Sequence, residues 1–169
     1  MVRFLRENRF ASYMLLIARL YLGYEWFTAG LEKVTGKFDA YGYLAGAIKA
    51  SGGEHPAVQA WWAAFLNGVA LPHVQFFNIL VPWGELLVGI GLLVGGLTTF
   101  AALMGMVMNF AYMFSGTTST NPQLVLLTIF VLVAGYNAGR IGLDFWLQKI
   151  MHHPARFFHL KHHGLSGQH

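Results

Sequence analysis

Cysteine is absent from the sequence, which excludes disulfides, thiol redox chemistry, cysteine-ligated iron–sulfur clusters and covalently attached c-type haem. Charge is scarce as well. Only 11% of the residues are Asp, Glu, Lys or Arg, less than half of the about 25% of ordinary soluble domains. From Leu86 to Gly139 no charged residue occurs at all. With 56% of its residues hydrophobic, the chain is predicted to have lipid rather than water as the solvent for much of its length. No histidine falls inside an apolar segment, so a bis-histidine haem between the helices is excluded, and no metal site is expected there. The net charge of +4 sits at the two chain ends rather than along a helix face interleaved with aromatics. That placement argues against nucleic acid and for anionic lipid headgroups.

What is present fits a helical membrane bundle. Twenty glycines favour close helix packing, and aromatics, 15% of the chain, gather near segment ends. The predicted fold is all-α, an integral membrane four-helix bundle with a short interfacial helix in the first outer loop. The first span runs over about 10–31; its start, Arg3 to Arg9 followed by Phe10, imitates a secretory signal, but Arg19 interrupts the run and no small-residue cleavage site follows. A retained span is expected. The Leu86 to Gly139 stretch is too long for one crossing, and Gly95-Gly96 is the natural turn between spans of about 76–94 and 98–114. The polar stretch Ser115 to Pro122 leads to a fourth span of about 123–145. In the first loop, Pro56 to Val69 with Trp61, Trp62 and Phe65 suits a helix lying in the interface.

Four spans put both termini on one side. Arg3, Arg6 and Arg9 before the first span, and Lys149, Arg156 and Lys161 after the fourth, place that side in the cytoplasm of the cell. Residues 147–169 then form a basic, His-rich cytoplasmic tail in which His152, His153, His159, His162 and His163 cluster. His55 and His73 fall in outer loops.

The informative residues are the polar ones within apolar spans. Arg19, Gly23, Trp26 and Gly30 share one face of the first helix, placing small residues for close packing beside a buried cation. Glu85 lies near the middle of the second span, where it should be protonated or paired with a cation such as Arg19. Asn109 contributes an amide suited to bridging helices. Asn137, Arg140 and Asp144 share a face at the cytoplasmic border, where Arg140 and Asp144 are expected to form a structural ion pair.

Arg19-x3-Gly23-x6-Gly30-x2-Lys33, then Glu85 with Gly89, Gly91, Leu92 and Leu93, and finally Gly139-Arg140-Ile141-Gly142-Leu143-Asp144 follow an order that resembles the DoxX/DoxD family of four-helix membrane proteins, over about residues 12 to 146. Redox work beside quinone is what the resemblance implies. DoxD-type members form the membrane subunit of thiosulfate:quinone oxidoreductase, which oxidises thiosulfate to tetrathionate outside the cytoplasm. Arg19, Lys33, Glu85, Arg140 and Asp144 are the family-like positions.

A quinone head group needs an aromatic slot, donors for its carbonyls and a protonatable neighbour. Trp26, Trp83 and Tyr112 are candidates for the slot, Arg19 or Asn109 for a donor, Arg19 or Lys33 for attraction of an anionic sulfur substrate, and Glu85 with Arg19 for the catalytic centre. Quinone is then a diffusible co-substrate, with no covalently bound cofactor. The lipid bilayer, a soluble redox subunit and a second copy of the chain are the candidate partners. Two competing readings are a membrane scaffold recruiting a soluble redox enzyme through the tail and a small-solute or proton transporter.

Overall fold

The computed structural model describes residues 1–152, with side chains described through Ile150, and among these residues every regular element is helical. A short α1 (Val2–Glu7) precedes the long α2 (Arg9–Thr35). Helices α3 (Ala40–Lys49) and α4 (Ala60–Phe65) fill the first loop, α4 continuing into a π-turn over Leu66–Ala70. Then follow α5 (Val74–Val94), α6 (Thr98–Phe114), α7 (Asn121–Ala134), the single turn α8 (Tyr136–Gly139) and α9 (Leu143–His152).

Helix α2 starts where Asn8 accepts hydrogen bonds from the backbone N–H groups of Phe10 and Ala11, satisfying donors that a helix start leaves open. Its buried residues, Leu15, Arg19, Leu22, Gly23, Trp26 and Gly30, recur at three and four positions and define one face. Against that face α5 runs antiparallel, in a register set by glycine. A methyl group at Gly30 would strike the backbone of Leu86, one at Gly89 the backbone of Phe27, and one at Gly23 would lie 2.9 Å from the Leu93 nitrogen. The two backbones therefore touch, the close approach that small residues permit between membrane helices. Helix α6 packs on α5 through a tight turn in which Gly95 has φ +66 and Leu97 φ +52, and α7 lies along α6.

Of these helices, α5 is long and apolar enough to cross a bilayer by length and composition. Helices α6 and α7 are apolar but have 17 and 14 residues, and α2, at 27 residues, carries Arg19, Glu25 and Lys33. The fourth apolar segment thus differs from the continuous 123–145 helix expected. It stops at Gly135, whose φ of +55 with ψ of −122 is a conformation side chains with a Cβ avoid, and at 1.5 Å per residue α7 measures about 21 Å. The interfacial helix expected over Pro56 to Val69 is shortened to α4 and its π-turn, residues 60–70, and packs with the additional helix α3 around a core of Leu44, Ala47, Val58, Ala63 and Leu66.

Large apolar side chains point outward around the four longest helices: Ile17, Leu87, Val107 and Leu126 are all more than half exposed. Inside, Leu15, Leu22, Trp26, Val88, Leu92, Leu124 and Val131 form one core. A protein apolar both within and around its circumference is suited to lipid surroundings.

Candidate functional site

Two polar clusters occupy opposite ends of this core. The first lies beneath α3 and the α6–α7 connection. Glu85, on α5, is 1% exposed, and its two carboxylate oxygens are taken by different helices. Lys33 Nζ on α2 lies 2.7 Å from Oε2, and the Tyr112 hydroxyl on α6 donates to Oε1 at 2.5 Å. Lys33 reaches the pair from the last turn of α2, where its side chain retains 29% exposure and donates also to the Ala29 carbonyl at 3.4 Å. The ring of Tyr43, on α3, meets Tyr112 edge to face at 6.3 Å, and its hydroxyl lies 3.0 Å from Thr117 Oγ1. Beside them, Trp62 donates to Ser115 Oγ at 2.8 Å and stacks on Phe65. The cluster is thus a buried carboxylate held between a partly exposed cation from α2 and a phenol from α6.

The expected partnership of Glu85 with Arg19 does not form. Arg19 is at the other end of the core, 1% exposed, donating to the carbonyls of Ala138 at 3.0 Å and Ile141 at 2.7 Å and resting against Gly95. The cause is axial register. With Gly30 opposite Leu86 and Gly23 opposite Leu93, the α2 residue level with Glu85 is near the end of α2, and Arg19 is level with the end of α5.

The structural ion pair predicted between Arg140 and Asp144 is also corrected. Among the described residues Arg140 has no carboxylate partner. Asp144 instead accepts the backbone N–H of Leu97 at 2.6 Å and of Thr98 at 2.9 Å, capping α6, a helix whose preceding residue is a leucine unable to cap it. A lost capping carboxylate typically costs about 1 kcal/mol, and here the same group also acts as a favourable negative charge on Arg19. The Asp144 N–H returns a bond to the Gly95 carbonyl at 2.8 Å, closing the junction where α5, α6 and α9 meet. Asn137, expected on the same face, ties the amino-terminal segment down by donating to the carbonyls of Leu5 and Asn8.

The other sequence candidates separate. Trp26 is buried against Gly105, one helical turn from Asn109, and its indole N–H has no hydrogen-bond partner among the described residues. Asn109 is 0% exposed, and neither its amide nitrogen nor its oxygen is bonded among the described residues, where it therefore bridges no helices. Trp83 is half exposed on the face of α5 opposite Glu85 and lines no site with Trp26 or Tyr112. Tyr43 is the residue that sequence reading missed. Only its hydroxyl and its place after Asp39, which caps α3, mark it, and no periodicity links it to Tyr112. The His cluster of the tail, assigned to partner recruitment, lies outside the described side chains.

The chain matches no protein of curated function and no solved structure. A family model described as DoxX matches residues 14–118, well over half of the sequence and a stretch that contains Arg19, Lys33, Glu85 and Tyr112 but stops before Asp144. On that match the chain belongs to the DoxX family of membrane proteins.

Proposed function

We propose that the protein is a multi-pass membrane subunit of a quinone-linked oxidoreductase, with the Lys33–Glu85–Tyr112 cluster as the group that holds and hands over protons. The observation that carries this reading is Glu85, a carboxylate removed from solvent yet bonded on one side to a cation that reaches water and on the other to a phenol inside the bundle. Reduction of a quinone consumes two electrons and two protons, and two thiosulfate ions joined as tetrathionate release the two electrons. Without cysteine the chain has no thiol or cysteine-bound cluster to store them, so electrons come from the donor substrate directly or through a partner.

The residues present suit a quinone. Trp26 Nε1 and Asn109 Nδ2 are buried donors with no partner among the described residues, and Asn109 stands one turn before Tyr112 on α6. Unpaired buried donors are costly, and a bound carbonyl would satisfy them. Glu85 relays protons between Lys33 and Tyr112 along bonds already in place, and Tyr43 with Thr117 orients the phenol from outside.

Purified protein that keeps its native lipids is expected to retain quinone and, with its soluble partner where one is required, to form quinol from thiosulfate. Glu85→Gln should lower that rate by about 100-fold or more, the usual contribution of a positioned proton carrier. Wild-type protein that retains no quinone and forms no quinol under either condition would refute the assignment.

The same reading places four crossings at α2, α5, α6 and α7 with α8, and both termini in the cytoplasm. In support, Arg6 of α1 donates to the Val133 carbonyl near the end of α7, so the amino terminus and the start of the carboxy-terminal segment share one end of the protein. A chain without native cysteine makes the test direct. A single cysteine at Gly53 should react with a membrane-impermeant maleimide in intact cells, whereas one at Arg3 should react only after lysis. Equal labelling of both positions in intact cells contradicts the topology.

A further inference from the structure

We infer that the cytoplasmic end of the protein carries a binding site for the phosphate of an anionic phospholipid, built from Arg9 and Arg140. A cleft of about 270 Å³ opens there, lined by Arg9, Ser12, Tyr13, Arg140, Ile141 and Phe145. Its lining contains two guanidinium groups and no carboxylate. Neither arginine forms an ion pair or donates a side-chain hydrogen bond among the described residues, although one is half-buried. The nearest acid in sequence, Asp144, has both oxygens committed to the start of α6 and is not available to Arg140.

Two like charges gathered in one cleft repel each other unless an anion lies between them. Guanidinium forks match a phosphate diester, each able to bind two of its oxygens, and Tyr13, which also lines the cleft, carries a further hydroxyl donor. The surroundings select a lipid over a free anion. From Tyr13 the exposed face of α2 continues through Met14, Ile17 and Tyr24, 56–70% exposed, an apolar strip leading away from the cleft as acyl chains would. On the other side, α9 exposes Phe145, Trp146 and Ile150 and sets Lys149 over the Trp146 ring, the composition of a helix lying at a membrane surface. A headgroup with one negative phosphate fits the charge; a zwitterionic headgroup brings its own cation into a cleft that already holds two.

Native mass spectrometry of the full chain in detergent tests this with three probes: dioleoylphosphatidylglycerol, dioleoylphosphatidylcholine and inorganic phosphate. The expected result is one tightly retained phosphatidylglycerol, with phosphatidylcholine weaker by roughly ten-fold or more. Arg9→Gln with Arg140→Gln should weaken phosphatidylglycerol by roughly ten- to thirty-fold, and the double lysine variant, which keeps both charges but loses the forks, should recover only part of that affinity. Arg9 is exposed and its side chain bonds to nothing described, so Arg9→Gln alone separates binding from folding and should cost about five-fold. Equal retention of the two lipids, or full retention in the double glutamine variant, overturns the inference. So does displacement of the lipid by millimolar phosphate, which would make the cleft a free-anion site.

Discussion

Lys33→Met will destabilise the protein by about 3 kcal/mol, and adding Glu85→Gln to it will restore most of that loss. Truncating one member of a buried ion pair leaves the other charge without compensation, at a cost of about 3–5 kcal/mol. The lower end applies because Lys33 retains 29% exposure, so the pair is open to water on the lysine side. Glu85 has no such outlet, being 1% exposed, and the Tyr112 hydroxyl alone must then hold a stranded carboxylate. A neutral glutamine removes the charge and still accepts from Tyr112. Glu85→Gln by itself should be mild for stability, since a partly exposed lysine can turn its ammonium to water. The two single variants therefore differ in kind: Lys33→Met weakens the fold, whereas Glu85→Gln spares the fold and removes the proposed proton transfer. Thermal unfolding in detergent should fall by roughly 6–12 °C for Lys33→Met and recover in the double variant. An unchanged Lys33→Met, or a double variant less stable than either single one, would show that the pair is not what holds α2 to α5 at this level.

The second large effect is expected at the glycine contact itself. A Cβ at Gly89 meets the nitrogen and Cα of Phe27, and one at Gly30 meets the backbone of Leu86. Backbone cannot swing aside as a side chain can, so each substitution forces α2 and α5 apart along their most extensive interface. Overpacking of this sort costs about 1–3 kcal/mol for a single methyl group, and Gly89→Leu should prevent folding outright. Gly84 is the internal control, on the same helix and one and a half turns away. A methyl there would lie 3.5 Å from the Met108 thioether, an ordinary contact with a flexible chain, and alanine gains about 1 kcal/mol of helix propensity over glycine. Gly84→Ala should melt at or above the wild-type temperature while Gly89→Ala and Gly30→Ala melt below it. If all three behave alike, helix propensity rather than interhelical approach governs these positions.

Separation of α2 from α5 would also shift Lys33 relative to Glu85, which joins the two predictions. Position along the interface decides which cation meets the carboxylate. Lys33 lies four turns, about 21 Å, beyond Arg19 on the same helix, so a sliding of α2 by that distance would be needed to exchange them. Glycines that fit only one register prevent it.

Much of this was legible in the residues. The charge-free stretch from Leu86 to Gly139 with Gly95-Gly96 inside it located α5, α6 and their turn to within two residues, because a glycine pair is the cheapest way for a chain to leave a helix and re-enter one. The buried face of α2 followed from three- and four-residue spacing. The end of α7 was not legible, since Gly135 lies in a run otherwise suited to continuous helix and no flanking residue signals its positive φ. Asp144 was equally hidden: four residues from Arg140 on a presumed helix, it reads as an intrahelical partner, and only the break at 140–142 frees it to cap α6.

Composition and periodicity by themselves determined that the chain is helical, that lipid is its fitting solvent, and that Arg19, Glu85 and Asn109 sit where a polar group needs a reason. Those properties are local, set by each residue's cost of burial and the 3.6-residue turn. Which groups meet was decided by tertiary structure alone. Periodicity fixes the angle at which a side chain leaves its helix but is silent on how far one helix is slid along another, and that offset gave Glu85 to Lys33 and Tyr112 while sending Arg19 to the carbonyls of Ala138 and Ile141.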